Sequence, residues 1–293
     1  MMATTSRRPG RSSLLDRVRY LLVLSRPRFW LYLAGPVVIG VVYAAESTAE
    51  LITPLSVALF AYFLVPANVF LYGVNDVFDV DIDVENPKKE DGPEARFSGD
   101  RWVLGVVLVS GLLALPFAFV VGPAGKVTLA GFLVLAVEYS APPFRFKTTP
   151  GLDSLSNGLY VLPGVLAFTA VAGQLPPLPA IVGGWLWTMA MHTFSAIPDI
   201  EPDRRAGIAT TATVLGQRRT YAYCGAVWAL AAGAFALVHP LLGTVLAVYP
   251  LLQLVIAVSD VVVDRAYWWF PAINTVVGTV LTMGYLWRVM YGG

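Results

Sequence analysis

Long apolar runs alternate with short polar segments along this chain. The apolar runs fall at about 28–46, 53–75, 102–121, 126–141, 152–173, 179–198, 220–238, 241–259 and 267–290. An α-helix needs roughly 20 predominantly apolar residues to cross a bilayer, and most of the runs approach that length. The pattern therefore predicts an all-α, polytopic membrane protein with nine transmembrane helices.

The composition supports this prediction and excludes an ordinary soluble domain. Of the 293 residues, 57% are hydrophobic and 13% are charged, and the mean hydropathy is +0.67, whereas soluble domains carry about 25% charged residues. Cys224 is the sole cysteine, so a disulfide within the chain is excluded. We expect the lipid bilayer as the surroundings of the chain, and no nucleic-acid partner.

The first 27 residues are basic and precede the first apolar run without a signal-cleavage pattern. We interpret 1–27 as a retained cytoplasmic tail, with a candidate interfacial helix at 13–25. Residues 28–293 then form a single nine-helix transmembrane domain.

The positive charges indicate an orientation. With the N-terminus inside, eighteen of the twenty Lys and Arg residues fall on the cytoplasmic side, and only Lys126 and Arg288 fall outside. Cytoplasmic loops are enriched in Lys and Arg. We therefore predict a cell-membrane protein with a cytoplasmic N-terminus and an external C-terminus.

An acidic cluster follows the second run, at the cytoplasmic side of this topology. Asp76, Asp79 and Asp83 are spaced at i, i+3 and i+7, which places them on one face of a helix, with Asn75 beside Asp79. Carboxylates near hydrocarbon are costly unless a cation or a reaction requires them. Oxygen ligands without His or Cys suit Mg²⁺. A solvated acidic helix end is the alternative interpretation.

A second acidic cluster follows the sixth run, on the same predicted face of the membrane. Asp199 and Asp203 repeat the i, i+4 spacing, and Pro198 and Pro202 indicate that the helix breaks or restarts there. Two such clusters on one face predict the two halves of a metal site.

The segment Tyr139 to Lys147 follows the fourth run and carries positive charge. Alone, it is an ordinary positively charged membrane anchor with a proline turn. Beside two metal-binding clusters, Arg145 and Lys147 become candidate ligands for a diphosphate.

Together these segments resemble the signatures of the UbiA superfamily of intramembrane prenyltransferases. The first signature is similar to Asn75-Asp76-x-x-Asp79-x-x-x-Asp83, and the second to Asp199-x-x-x-Asp203 followed by Gly207, Thr211 and Gly216. The third, a tyrosine–lysine motif, resembles Tyr139 to Lys147. The resemblance covers roughly residues 15–290 and implies helices around a central cavity.

The resemblance implies a Mg²⁺-dependent transfer of an isoprenyl group from an allylic isoprenyl diphosphate to a lipophilic acceptor. Two Mg²⁺ ions are expected, one on Asp76, Asp79 and Asp83 and one on Asp199 and Asp203. The diphosphate-binding residues are expected to be Asn75, Tyr139, Arg145 and Lys147, with Lys147 also counted among the catalytic residues. Aromatic rings would face the carbocation.

Two positions bear on the acceptor. Asn68 stands where superfamily members that prenylate aromatic acids carry an arginine, which weakens the case for a carboxylated acceptor. The segment around His192, a candidate base, is most similar to the haloarchaeal lycopene elongases of C50 carotenoid synthesis. That similarity implies lycopene as the acceptor and a C5 dimethylallyl donor, with hydration as an accompanying step.

Two alternatives stay open at this point. One is a prenyltransferase of the same superfamily that acts on a quinone precursor or a glycerol-phosphate lipid. The other is a cation-coupled transporter, in which the acidic residues would form an ion path.

Overall fold

The computed structural model describes residues 13–79, 97, 99–259 and 261–291, and these residues form helices and no strands. The helices before Gly151 are α1 (Leu14–Leu24), α2 (Trp30–Ala44), α3 (Thr48–Leu51), α4 (Pro54–Leu64), α5 (Pro66–Phe78), α6 (Arg101–Leu112), α7 (Phe117–Val120) and α8 (Pro123–Glu138). The later ones are α9 (Leu152–Leu155), α10 (Leu162–Ala172), α11 (Leu178–Ser195), α12 (Ile200–Arg205), α13 (Thr211–Val238), α14 (Pro240–Leu246), α15 (Val248–Val258), α16 (Val263–Trp268) and α17 (Phe270–Tyr291). Short 3₁₀ helices occupy Pro27–Phe29, Phe146–Thr148, Ser156–Tyr160 and Ile197–Asp199.

Several predicted runs are divided in the structure, and proline explains one clear case. The run predicted at 53–75 is two helices, α4 and α5, which meet at Val65. Pro66 has no N–H to donate and disfavours the helical conformation of the residue before it, so it begins a new helix. The helix at Thr211–Val238 likewise contains a kink, at Gly216, whose φ is 72°.

The nine-span count is not confirmed. Among the described residues, six helical stretches are long and apolar enough to span a membrane: Pro27–Ala44, Thr48–Phe78, Arg101–Val120, Leu152–Ala172, Thr211–Val238 and Pro240–Val258. Helices α8, α11 and α17 occupy the other three predicted spans. Helix α8 has only 16 residues and is too short to be counted as a span. Helices α11 and α17 are long enough, but polar residues such as His192 and Asn274 lower their hydropathy. The chain is nevertheless a multi-pass membrane protein.

The helices pack around two buried cores. The first core includes residues of α2, α4, α5, α6, α8 and α10, with α2 packed against α10 and α4. The second includes residues of α11, α13, α15 and α17, with α11 packed along α13. Because α17 also packs against α2, the last helix closes onto the first membrane helix.

The α2–α10 contact depends on two glycines. A Cβ atom added to Gly40 would lie 2.2 Å from the carbonyl oxygen of Gly164, and one added to Gly164 would lie 2.8 Å from that of Pro36. Small residues let membrane helices approach closely where lipid supplies no hydrophobic drive. The pair therefore fixes the distance between these helices.

Helix α1 coincides with the interfacial helix expected at 13–25. Ser13 and Asp16 form a capping box at its start, and Leu14 and Leu15 are exposed. Its position at the membrane surface and the division of the chain at residue 27 stay predictions.

Candidate functional site

Two carboxylates of the first cluster are buried at the end of α5. Asp76 lies in the last turn of α5 and Asp79 is its C-cap, and these residues are 2% and 6% exposed. The regular helix α5 ends at Phe78. Asp83 lies outside the described residues. A buried carboxylate is costly without a positive partner, so the surroundings of Asp76 and Asp79 matter.

Three basic side chains face these carboxylates. An Nη2 atom of Arg26 lies 3.5 Å from Oδ1 of Asp76. The Arg145 Nη2 atom lies 3.5 Å from Oδ1 of Asp79, and the Lys147 ammonium contacts the same oxygen. Sequence reasoning identified Arg145 and Lys147 but missed Arg26, which lies 50 positions before its partner and carries no motif. Acidic and basic side chains therefore lie together at the C-terminal end of α5.

The loop from Tyr139 to Lys147 is held against α5 by hydrogen bonds. Both Ser140 Oγ and Lys147 Nζ donate to Oδ1 of Asn75, at 2.7 and 3.3 Å. Arg145, whose φ is 44°, donates from Nη2 to the carbonyl oxygen of Phe78 at 2.9 Å. The backbone N–H of Lys147 donates to the carbonyl of Tyr139 at 3.0 Å, which closes the loop. The fold thus brings together the first and third motifs predicted from the sequence.

Burial changes the acid–base behaviour of Lys147. Loss of hydration lowers the pKa of its ammonium to about 8; the Asp76 carboxylate opposes this shift and the Arg26 guanidinium adds to it. A poorly hydrated cation gains more from an anionic ligand than an exposed one does. Lys147 is therefore suited to holding a negatively charged group.

The second cluster lies on a broken helix, as its prolines predict. Asp199 ends the 3₁₀ helix Ile197–Asp199, and Asp203 lies in α12. Both residues are half-buried. Arg204, next to Asp203 in the chain, donates to the carbonyl of Thr213 at 2.7 Å and to Glu201 at 3.0 Å. This arginine stabilises the start of α13.

A tyrosine–histidine contact links the two clusters. The Tyr139 hydroxyl lies 3.4 Å from Nε2 of His192, and the Asp199 carboxylate interacts electrostatically with His192. Tyr139 belongs to the loop that touches Asn75, so the contact path runs from α5 through the loop to α11. His192 thus lies beside the Tyr139 loop, and its role near the acceptor stays a prediction.

Asp153 is a second residue that sequence reasoning missed. It is 1% exposed, accepts a hydrogen bond from the Thr211 backbone N–H at 2.9 Å and contacts the Thr211 hydroxyl. Thr211 Oγ1 in turn accepts from the N–H of Gly151 at 2.8 Å. Its signal in the sequence was an acidic residue at the start of an apolar run. Asp153 joins the segment after the Tyr139 loop to the segment after the second cluster.

An aromatic group adjoins the charged residues. The Arg26 guanidinium lies 4.5 Å from the ring centre of Tyr72, and the hydroxyls of Tyr72 and Tyr160 are 3.5 Å apart. The ring of Tyr32 lies 6.3 Å from that of Tyr160 and 5.3 Å from that of Phe29. These rings are electron-rich surfaces next to the basic side chains, and the sequence alone did not single them out.

Asn68 lies apart from the charged group. It is fully buried, and its amide donates to the carbonyls of Phe63 and Leu64 at 2.9 and 3.0 Å. These carbonyls belong to the end of α4, which the break at Val65 leaves without helical partners. Its contacts are those of a residue that closes a helix break.

The donor set at the charged site fits a hard divalent cation. Two buried carboxylates and the amide oxygen of Asn75 supply only oxygen, which Mg²⁺ prefers. In the part of the chain that the structure describes, no group of three or more His, Cys, Asp or Glu side chains is assembled as a complete metal site. Asp83 falls outside that part, so the set of three predicted for the first cluster stays a prediction.

Comparison with known proteins gives concordant results. Residues 33–288 match the model of the UbiA prenyltransferase family. The chain is 65% identical to the lycopene elongase/hydratase of Haloferax volcanii, over 94% of this chain and 92% of that protein. It is 60% identical to the lycopene elongase/hydratase of Haloarcula japonica, over 93% of each. The fold resembles that of a UbiA homolog from Archaeoglobus fulgidus bound to DMAPP and Mg²⁺, with a TM-score of 0.75, 19% identity, and coverage of 94% of this chain and all of the other.

Proposed function

This chain belongs to the UbiA prenyltransferase family, and on that premise we propose that it transfers a C5 dimethylallyl group from dimethylallyl diphosphate to lycopene, with addition of water. The observation that carries the proposal is the placement of buried Asp76 and Asp79 against Arg26, Arg145 and Lys147. The near full-length identity to two haloarchaeal lycopene elongase/hydratases supports the acceptor. A transporter is set aside, since the family is one of transferases.

We infer that the carboxylates hold Mg²⁺. Asp76, Asp79 and Asp83 would bind one ion, and Asp199 and Asp203 a second. Bound Mg²⁺ supplies positive charge that neutralises the diphosphate and stabilises it as a leaving group. The same cation would relieve the repulsion between neighbouring carboxylates.

The basic residues bind and orient the diphosphate. Lys147 and Arg145 already lie at the carboxylates, so they are placed to donate charge-assisted hydrogen bonds to phosphate oxygens. Asn75 and Tyr139 are the other polar residues proposed to contact the diphosphate, because the loop holds both near Lys147. These groups gain interaction energy as negative charge accumulates on the departing diphosphate, which lowers the barrier to breaking the carbon–oxygen bond.

The aromatic group protects and stabilises the carbocation. Tyr72, Tyr160 and Tyr32 present π faces and edges next to the charged residues. Aromatic faces attract cations, and their apolar bulk excludes bulk water that would hydrolyse the donor. A hydrocarbon acceptor such as lycopene needs no charged group to hold it. His192 is proposed as the base on the acceptor side, since it is hydrogen-bonded to Tyr139.

We also propose that the site opens to the cytoplasm. Eighteen of the twenty Lys and Arg residues fall on that side in the predicted topology, and the diphosphate donor is water-soluble.

Membranes from a lycopene-producing host test the proposal. After addition of dimethylallyl diphosphate and Mg²⁺, the product should gain C5 units by mass, and a chelator should abolish the gain. Asp76→Asn and Asp199→Asn should each reduce turnover by about 100-fold or more, because each weakens the binding of the Mg²⁺ that would neutralise the leaving group.

Glu201→Gln is the matched control. It removes an exposed carboxylate two residues from Asp199 and from Asp203 that pairs with Arg204. Its turnover should stay near wild type. Unchanged lycopene with an active donor supply would refute the assigned acceptor, and full Mg²⁺-dependent turnover by Asp76→Asn would refute the metal site.

A further inference from the structure

Three helices are joined by a polar bridge inside the aromatic part of the protein. The hydroxyl of Tyr249 in α15 donates to Oδ1 of Asn274 in α17 at 2.8 Å. The Nδ2 atom of Asn274 donates to the hydroxyl of Tyr32 in α2 at 3.2 Å. Polar side chains in membrane-spanning helices are costly and often mark functional sites. We call these three residues the Tyr32–Asn274–Tyr249 bridge.

The bridge has unused hydrogen-bonding capacity. The amide of Asn274 has a second N–H, and its oxygen has a second lone pair. Beside it, the buried Nε1 atom of Trp187 lies near the Tyr249 hydroxyl without a hydrogen bond of good geometry, and its ring centre lies 5.2 Å from that of Tyr249. A buried water is stable where two to four polar groups converge on it. Asn274 retains one N–H and one lone pair and Trp187 retains its N–H, so the two side chains offer three groups for such a water.

The bridge also lies close to the reacting end of the site. Tyr32 contacts the ring of Tyr160, whose hydroxyl is 3.5 Å from that of Tyr72. The ring of Tyr72 lies against the guanidinium of Arg26, which is the ion-pair partner of Asp76. The bridge is therefore two rings away from the proposed diphosphate-binding residues.

Tyr267 lies near the bridge and beside a cavity. Its side chain lines a cavity of about 470 Å³ together with Arg28 and Trp268, and its hydroxyl is close enough to that of Tyr32 for the two to interact electrostatically. The other ring neighbours of Tyr32 are Phe29 and Tyr160.

We propose that the Tyr32–Asn274–Tyr249 bridge, with Trp187, binds the water molecule that is added to the acceptor. The inference rests on the proposed function and assigns its hydration step to named residues. The donor's carbon–oxygen bond breaks and diphosphate leaves with the electron pair. An acceptor double bond then forms the new carbon–carbon bond, which leaves a tertiary carbocation. The oxygen of the bound water bonds to that carbon, and the released proton passes to the diphosphate.

The competing outcome is loss of a proton from a carbon next to the cation, which gives an alkene without added oxygen. The two products share every step before the cation. Residues that hold the water therefore control the ratio of hydroxylated product to alkene and not the total amount of C5 added. A structural role for the bridge would lower total product and leave the ratio unchanged.

The experiment measures this ratio by mass spectrometry in H₂¹⁸O, with lycopene-containing membranes, dimethylallyl diphosphate and Mg²⁺. The wild-type protein should incorporate one ¹⁸O atom for each C5 unit in its hydroxylated product. Tyr32→Phe, Tyr249→Phe and Asn274→Leu should lower the hydroxylated fraction threefold to tenfold, the effect of about one lost hydrogen bond. Tyr62→Phe is the matched control, since it removes a buried hydroxyl that makes no hydrogen bond to a described residue.

The outcomes separate the two proposals. Normal C5 addition with an unchanged hydroxylated fraction in Tyr32→Phe and Tyr249→Phe would overturn the water site and leave the proposed function intact. Wild-type product that gains C5 but no ¹⁸O would overturn the water site together with the proposed addition of water, and would leave the C5 transfer intact. Absence of C5 addition by the wild-type protein would overturn both. If Asn274→Leu fails to fold, the two Tyr→Phe variants still decide the question, because each removes a single oxygen atom.

Discussion

Some buried polar residues in this protein form ion pairs, and others donate hydrogen bonds to backbone carbonyls. Asp76 and Asp79 are buried, and Arg26, Arg145 and Lys147 supply the positive charge beside them. Asn68 is buried as deeply, yet both of its hydrogen bonds go to carbonyls at the end of α4. Burying a polar group costs free energy at both places. Ion pairs offset that cost at the end of α5, and hydrogen bonds to backbone carbonyls offset it near the start of the helix.

Replacement of Asn68 by alanine should destabilise the protein by about 1–3 kcal/mol, because two buried carbonyls lose their donor. The loss should appear as a lower melting temperature in detergent, with unchanged product identity per folded molecule. Tyr62→Phe, which removes a buried hydroxyl without a described partner, should leave the melting temperature near wild type. Wild-type stability together with a changed acceptor preference would instead place Asn68 at the acceptor site, as the sequence comparison suggested.

At the scale of the elements, short polar contacts and close helix contacts decide how the helices are arranged. Asp153 holds the first turn of α13 against the start of α9 through Thr211. Gly40 and Gly164 bring α2 and α10 together with almost no side chain between them. Neither contact follows from hydrophobic periodicity, because both depend on residues far apart in the chain.

Asp153→Ala should destabilise the protein by about 2–3 kcal/mol, since it leaves the N–H of Thr211 and its hydroxyl without a charged acceptor. Thr211→Ser retains both donors and should behave like the wild type. Thermal unfolding of the purified variants followed by circular dichroism measures the difference. Equal melting temperatures for all three proteins would show that the contact contributes no stability.

Gly40→Ala should impair folding by about 3 kcal/mol, because its new methyl group would overlap the carbonyl oxygen of Gly164. Gly35→Ala, in the same helix, is the control: no neighbouring atom lies within 4 Å of its Cβ position. That variant should be neutral or more stable by up to about 1 kcal/mol, because alanine favours the helix. The yield of monodisperse protein in detergent and its melting temperature report both effects; similar values for the two variants would contradict the close α2–α10 contact.

At the scale of the whole molecule, the arrangement of charge predicts the orientation. In the predicted topology the proposed site lies on the side that carries almost all Lys and Arg residues, so donor and Mg²⁺ would arrive from the cytoplasm. The acceptor, a hydrocarbon, would arrive from the bilayer. A site at the border between the two phases serves both substrates.

Cysteine labelling tests this orientation. Cys224 is fully buried, so it should not react with a membrane-impermeant maleimide. In intact cells Ser47→Cys should be labelled, and Glu201→Cys should be labelled only after the membrane is opened. Both positions are exposed in the structure, so the difference reports the side of the membrane. Labelling of Glu201→Cys in intact cells would reverse the predicted topology.

The sequence by itself determined the class of the protein and the three motifs, because hydrophobic runs and residue spacing are local properties that the chain carries before it folds. It predicted the break at Pro198 and Pro202 for the same reason. The chemistry of the motif residues stays a prediction. Only the tertiary structure decided that Arg26 faces Asp76, that Asp153 binds Thr211, and that Tyr32, Asn274 and Tyr249 meet. These partners are 50 to 242 positions apart, except for Tyr249 and Asn274, which are on different helices. Side chains so separated come together only when helix packing closes the molecule, and no periodicity along the chain records which helices those will be.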